Sequence, residues 1–134
     1  MALICFNKGA KEILTRALNL GATGDVKLIL YKTNTALSET YAMGDATIAD
    51  FTGYGTITLT GASWTITDAD PSSASYAKQT FTSSAGSQNQ NIYGYIVTNS
   101  AGTIALWGET FSDGPYNIAN NGDKIEVTPV FTLD

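Results

Sequence analysis

The spacing of apolar residues near the start of the chain predicts one helix. Between residues 8 and 20, apolar side chains recur at the i, i+3, i+4 and i+7 positions of a single stripe, and charged or polar side chains fill the other face. The members of the stripe are Ala10, Ile13, Leu14, Ala17 and Leu18. Asn7 is a suitable N-cap before this segment, and Gly21 is a suitable stop after it. We expect an N-terminal α-helix over about residues 8–20, packed on a sheet of its own chain.

After the helix, the pattern changes to short runs that predict about seven or eight β-strands. Residues 25–32 (DVKLILYK) are apolar on both faces, so this strand should be covered on both sides. The last run, residues 124–133, contains Pro129, which cannot donate a ladder hydrogen bond and therefore favours an edge or a bulge. The predicted fold class is mainly β: an antiparallel sandwich or jelly-roll-like barrel with one N-terminal α-helix. We expect one domain over residues 1–134, with an arm and helix in 1–24 and a β-domain in 25–134.

Residues 91–111 (NIYGYIVTNSAGTIALWGETF) are predicted to form a central β-hairpin. Its two runs are joined by Asn99-Ser100-Ala101-Gly102, in which Gly102 can adopt a left-handed conformation. If Thr98 pairs with Thr103, then Tyr95 lies opposite Leu106, Gly94 opposite Trp107 and Tyr93 opposite Gly108. This register would place large aromatic rings over glycines.

Several turns follow from composition alone. Residues 68–73 (DADPSS) are predicted as a turn, and the following run, residues 75–82, as a strand. Residues 120–123 (NNGD) predict a hairpin-type turn, because an Asn-Gly pair tolerates positive φ.

Two polar segments are the predicted contacts with a partner. Residues 33–44 form a long loop with embedded apolar residues, and residues 83–90 (SSAGSQNQ) form a low-complexity loop, mobile alone or ordered on a neighbour. The candidate contact residues are Leu37, Tyr41, Met43, Ser84, Ser87, Gln88, Asn89 and Gln90.

The composition favours a protein that packs against other proteins. Charged residues make up only 14% of the chain and the net charge is −5. Since few ions must lose their hydration water, such a surface can be buried at low cost. The seven basic residues are scattered, which disfavours direct nucleic-acid binding. No apolar stretch approaches the ~20 residues of a membrane span, and the single cysteine, Cys5, excludes an internal disulfide.

The residues offer little catalytic chemistry. The chain contains no histidine, which excludes Ser-His-Asp and Cys-His triads and His-ligated metals. Two carboxylate pairs, Glu109 with Asp113 and Asp68 with Asp70, could serve glycoside hydrolysis, but turn composition explains all four. We therefore predict a protein that is not an enzyme, with no catalytic, cofactor-binding or metal-binding residues. Trp64 and Trp107 leave open a sugar-stacking platform, which would require exposed rings.

The second half of the chain resembles small virion structural proteins of tailed bacteriophages. The resemblance lies in residues 52–67 (TGYGTITLTGASWTIT) and in residues 76–133, where the phrases NSAGT, ALWGETF, DGPY and NNGD follow one another. Some proteins of this kind are capsid cement or decoration proteins.

The resemblance implies a virion structural role for a chain made in the host cytoplasm. It leaves open whether the chain lies on the head or on the tail, and we favour the capsid surface over the tail. It implies a homo-oligomer, expected to be a trimer, that bridges major capsid protein subunits and stabilises the head. The alternatives are a tail or baseplate subunit and a host-glycan-binding β-sandwich module.

Overall fold

The architecture is mainly β, as predicted, with short antiparallel strands and one N-terminal helix. The computed structural model describes residues 6–19 and 24–133. The strands are β1 (Val26–Tyr31), β2 (Ile57–Leu59), β3 (Thr65–Thr67), β4 (Ser72–Ser75), β5 (Gln79–Thr82), β6 (Gln90–Ile92), β7 (Gly94–Thr98), β8 (Ala105–Thr110), β9 (Tyr116–Ile118), β10 (Lys124–Val127) and β11 (Val130–Leu133). The described residues contain eleven strands where seven or eight were predicted, because two predicted runs each divide into two strands and β4 was not predicted.

The strands form one larger sheet and three smaller ones. The larger sheet has the order β2-β1-β7-β8, and the smaller sheets pair β10 with β5, β11 with β4 and β3, and β6 with β9. Among the described residues the sheets form a sandwich-like arrangement and do not close into a barrel. Side chains from the larger sheet, the smaller sheets and the helix meet in one apolar core.

The helix, α1, spans Asn7–Leu14 and continues as one π-helical turn over Thr15–Asn19. The N-cap is Phe6, without a side-chain cap, so the prediction of Asn7 was wrong by one position. Ala10, Leu14 and Leu18 are buried as the stripe predicts, whereas Ile13 is 53% exposed. The predicted stop at Gly21, and Cys5, lie outside the described residues.

Strand β1 is central and covered on both faces, as its pattern predicts. Val26, Leu28 and Leu30 belong to the main core, while Ile29 and Tyr31 face a second, smaller cluster with Ile96. Strand β7, its neighbour, is buried along its whole length. The two strands pair antiparallel from Lys27 with Thr98 to Tyr31 with Gly94. The two strands form the buried centre of the larger sheet.

The β7–β8 hairpin exists, but its predicted register was wrong. Thr98 pairs with Ala105 and Val97 with Trp107, with a bulge between the two pairs. The loop is longer than predicted because the Asn99 side-chain oxygen accepts hydrogen bonds from the amides of Thr103 and Ile104, at 2.8 and 3.1 Å. Those two amides are thus bound within the loop. Gly102 has the predicted left-handed conformation, with φ of 73°.

An aromatic ring does lie over a glycine, although the ring is not that of Trp107. Tyr31 pairs with Gly94 across β1 and β7, and Gly94 pairs with Thr110 across β7 and β8. The Tyr31 hydroxyl forms a 2.8 Å hydrogen bond with Thr110 Oγ1. The ring therefore crosses the middle strand at the one position without a side chain.

The C-terminal run is two strands in two different sheets. Strand β10 pairs with β5 and β11 pairs with β4, with Pro129 between them. The run is not one strand, because Pro129 marks the crossing from one sheet to the other. The predicted edge position is confirmed, since β10 and β11 each lie at the edge of their sheet. Its carbonyl accepts a hydrogen bond from the amide of Tyr76 at 2.9 Å.

Two turn predictions also need correction. Strand β4 covers Ser72–Ser75, in the middle of the β11-β4-β3 sheet, although half of this segment was predicted as a turn. The strand predicted over residues 75–82 is shorter and covers Gln79–Thr82. The NNGD segment does turn, with φ of 90° at Gly122. It is not a hairpin, because β9 before it pairs with β6 and β10 after it pairs with β5.

Candidate functional site

The outer edge of strand β8 is the most prominent open feature of the larger sheet. β8 pairs with β7 on one side, and no described residue pairs with its other side. Apolar side chains are exposed along it, with Leu106 at 41% and Ile104, just before the strand, at 58%. An unpaired edge with exposed apolar side chains is a template for another chain.

An apolar groove lies beside this edge, between β8, α1 and β11. Its volume is about 310 Å³, and its walls are entirely apolar side chains: Ile13, Leu14, Ala17, Leu18, Leu106, Trp107, Phe131 and Leu133. The groove floor is built of packed aromatic rings: Trp107 packs on Phe131 with ring centroids 4.8 Å apart and on Trp64 at 6.0 Å. We call this feature the helix-side groove.

A second cleft, of about 430 Å³, lies on the opposite face of the sheet at the same edge. It is lined by residues of the 33–44 loop and of β8, and it is more polar, with Ser38 and Glu39 at its rim. Leu106 and Trp107 line both this loop-side cleft and the helix-side groove. The edge of β8 therefore has a concave surface on each face.

The three predicted contact residues of the first loop cover the second face of their own sheet. Leu37, Tyr41 and Met43 are half-buried and pack against the cluster formed by Ile29, Tyr31 and Ile96. Leu37 lies over Gly108, since a Cβ added there would come within 3.0 Å of Leu37 Cδ1. The embedded apolar residues of this loop thus have partners within the chain.

Tyr41 is the one buried hydroxyl in this cluster that lacks a hydrogen-bond partner. Its burial, with the nearby Tyr31 and Asp45, raises the pKa of Tyr41. The phenol is therefore neutral over the physiological range, and it acts here as an apolar filler beneath the loop.

The second predicted contact segment, Ser84 to Gln90, is bound to residues 50–52. Gln88 Oε1 accepts a hydrogen bond from Thr52 N–H at 2.8 Å, and Gln90 Oε1 accepts one from Asp50 N–H at 3.0 Å. Ser84 N–H donates to the Thr52 carbonyl at 2.9 Å. Glutamine side chains here take the place of a neighbouring strand's backbone, so the segment is ordered by its own chain.

Two residues of the same segment adopt left-handed backbone conformations. Ser87 has φ of 58° and Asn89 has φ of 47°. Asn89 Oδ1 accepts a 3.1 Å hydrogen bond from Asn117 Nδ2, which links the segment to β9. Both side chains are exposed and remain candidates for contact with a partner.

An ion pair joins this segment to the end of β1. Lys32 Nζ lies 2.7 Å from Asp50 Oδ1, which also accepts a 2.6 Å hydrogen bond from Gln90 Nε2. These two hydrogen bonds hold the pKa of Asp50 below its ordinary value.

The four acids considered for catalysis lie in ordinary structural surroundings. Glu109 accepts a hydrogen bond from the Tyr95 hydroxyl at 3.1 Å, and Asp113 accepts one from the Tyr116 hydroxyl. Burial, together with Glu109, raises the pKa of Tyr95, and the hydrogen bond to Asp113 raises that of Tyr116. Asp68 and Asp70 lie exposed at the turn before β4.

The two tryptophans do not form an exposed sugar-stacking platform. Trp64 is only 3% exposed and belongs to the main core. Trp107 is half-buried against Phe131. Each indole N–H is buried without a hydrogen-bond partner, so both rings serve as packing surfaces.

Residues 6–19 and 24–133 contain no group of three or more metal-ligating acids, cysteines or histidines. None of the described helices is both long and apolar enough to span a membrane. No family model matches the chain, and no curated protein or solved structure shows significant similarity to it.

The β8 edge and its two clefts were missed from the sequence. The predicted register places Leu106 opposite Tyr95 within the hairpin, and the predicted helical stripe places Ile13 on the buried face. The signal available was a run with one charged residue, Glu109, and with apolar residues at Ile104 and Leu106.

Proposed function

We propose that this protein is a non-enzymatic structural protein of a phage virion, held in place by contacts between protein surfaces. The specific proposal is a capsid cement or decoration protein that forms a homo-oligomer, expected to be a trimer, and bridges major capsid protein subunits. Its place is the capsid surface of a virion assembled in the host cytoplasm. The virion assignment rests on the sequence resemblance, and the observation that supports a binding role is the apolar, open edge of β8.

The energetic basis is burial of apolar area with few charges. The helix-side groove is lined by eight apolar residues, and Glu109 is the only charged residue of β8. A contact made here would gain from the hydrophobic effect, at about 25 cal/mol per Å² of apolar surface removed from water. Because few ion pairs are involved, binding should depend only weakly on salt.

Co-sedimentation with empty capsids tests this function. The capsids are assembled from the major capsid protein of the genome that encodes this chain, and the purified protein is added at low and at high salt. We expect it to sediment with the capsids at saturable stoichiometry and nearly independently of salt. Protein that stays in the supernatant at both salt concentrations would contradict the cement role.

A tail or baseplate subunit would use the same type of contact at another location. Cryo-electron microscopy of the intact particle separates the two, because density for the chain would then lie on the tail. The glycan-binding alternative loses the platform it required, since Trp64 is buried and Trp107 is packed on Phe131.

A further inference from the structure

We propose that a second copy of this chain docks on the outer edge of β8, its own β8 running antiparallel, so that two sheets become one continuous sheet. The proposal rests on the self-association in the proposed function and names the surface responsible. It gives a two-fold symmetric pair, in which both copies use the same surface. A closed trimer has no two-fold axis between its subunits, so the expected trimer would have to form through a different surface, and the two contacts together would give a hexamer.

The first argument is the direction of the backbone groups. Phe111 N–H donates to the Tyr93 carbonyl at 2.9 Å, so the main-chain groups of Phe111 face β7. In an antiparallel ladder this direction alternates, so those of Glu109 also face β7 and those of Gly108 and Thr110 face outward. No described residue pairs with them on that side. Unpaired N–H and C=O groups along an extended edge are recognised by another extended strand.

The second argument is the pair of clefts that flank this edge. Successive side chains of an added strand point to opposite faces of the sheet, so they would enter the helix-side groove and the loop-side cleft in turn. In strand addition, backbone hydrogen bonds provide the affinity, and pockets for alternate side chains provide the specificity.

The third argument is that β8 is complementary to itself. With the two-fold axis at Gly108, each Gly108 faces the other, and Trp107 of one copy lies opposite Glu109 of the second. The Glu109 carboxylates of the two copies are then not directly opposite each other. Like charges placed directly opposite would destabilise the pair. Leu106 lies opposite Thr110, so its exposed side chain is covered. Gly108 at the centre presents no side chain that would hinder close approach.

The test compares the wild-type protein with two lysine variants by sedimentation velocity over a concentration series. Leu106→Lys places a charge on the open edge. Ile48→Lys is the matched control, because Ile48 is 40% exposed, against 41% for Leu106, and lies on the other side of β1 from β7. We expect wild-type and Ile48→Lys to form a species of twice the 14.1 kDa chain mass, and Leu106→Lys to weaken self-association at least about tenfold.

Amide hydrogen exchange provides a readout that does not depend on the variants. In the wild-type pair, the amides of Gly108 and Thr110 should be protected at high concentration and exchange faster on dilution. Circular dichroism confirms that each variant is folded. If the protein self-associates, but Leu106→Lys has no effect and these amides stay unprotected, the β8 contact is overturned. Capsid binding is tested separately by co-sedimentation. A wild-type monomer at high concentration would overturn this proposal directly.

Discussion

Gly94 of β7 pairs with Tyr31 of β1 and with Thr110 of β8, and the Tyr31 ring passes over it to reach Thr110. A Cβ added at Gly94 would overlap the carbonyl oxygen of Glu109 and would lie 2.7 Å from the Tyr31 hydroxyl. Neither neighbour can move easily, since one is backbone and the other belongs to a tyrosine that is fully buried. The absence of a side chain at this position is therefore a packing requirement.

Gly94→Ala should destabilise the protein by about 3 kcal/mol, the upper part of the range for overpacking a well-packed core. Gly55→Ala is the control, because an added Cβ there meets no atom within 4 Å. Urea denaturation of both variants measures the effect. Equal midpoints for the two variants would show that the Gly94 site can relax.

Asp123 stabilises the turn before β10 in a pH-dependent way. Its Oδ2 accepts hydrogen bonds from the amides of Ala119 and Asn120, at 2.9 and 2.7 Å. These bonds hold the pKa of Asp123 below its ordinary value of 3.8. A lowered pKa in the folded state means that the stabilisation is present above pH 3.8 and is lost as pH falls through the lowered value.

Asp123→Asn should therefore lower the melting temperature at pH 7, and the difference from wild type should shrink progressively below about pH 4. The other carboxylates with a lowered pKa, Asp50 and Glu126, are present in both proteins, so their effects cancel in the comparison. Thermal melts from pH 7 to pH 2 provide the measurement. A difference that is constant over that range would assign the effect to packing.

For single residues, the sequence predicted backbone conformation and burial better than it predicted contacts between residues. The left-handed Gly102 and the buried Leu14 follow from local spacing. That Tyr31, rather than Trp107, covers a glycine depends on pairing between strands more than sixty residues apart in the chain, which local spacing does not encode.

Among the elements, the segment from Ser84 to Gln90 shows how side chains can replace a strand. Gln88 and Gln90 accept from the amides of Thr52 and Asp50, which otherwise would bond to water or to a neighbouring backbone. The polarity of this segment predicted a loop that is mobile alone or ordered on a neighbour. The polar side chains of Gln88 and Gln90, on which that prediction rested, are the groups that bind the segment to its own chain.

Gln88→Ala should accelerate amide exchange at Thr52 and cost about 0.5–1 kcal/mol, the usual net value of one hydrogen bond. Gln88→Glu is the matched control, since it keeps an acceptor oxygen at the same place. Exchange followed by NMR distinguishes the two. If Thr52 exchanges equally fast in both variants, the glutamine contact does not protect it.

Most strands were predictable from the sequence, whereas strand pairing was not. The β8 register depends on Asn99, whose side chain binds two amides inside the loop, and on the bulge that follows. Strand β4 was missed because SSAS has one apolar residue, Ala74, and its burial comes from position in the sheet. The chain crosses at Pro129 because β10 and β11 pair in two separate sheets, and the local sequence does not encode that pairing.

On the scale of the whole molecule, the helix and the sheets share one core. Leu14 and Leu18 from the helical segment belong to the same cluster as Trp64 and Phe81. The helix therefore cannot leave the sheets without exposing core side chains, and we expect them to unfold together.

Leu14→Ala should cost about 2–5 kcal/mol, because Leu14 is 2% exposed. Ile13→Ala, one residue away and 53% exposed, should change stability by less than about 0.5 kcal/mol. Denaturation is followed both by far-UV circular dichroism and by tryptophan fluorescence, and the two curves should coincide. Loss of the helical signal before the fluorescence change would show that the helix is an independent unit.

The apolar character of β1 has a consequence for how the protein is made. Its partners β2 and β7 lie about thirty and about seventy positions later, so newly synthesised β1 leaves the ribosome with both faces and both edges bare. Until β7 has also been translated, this segment is a substrate for chaperones and a nucleus for aggregation. Yields in overproducing cells should therefore respond to chaperone levels and to growth temperature more than to changes at the molecular surface.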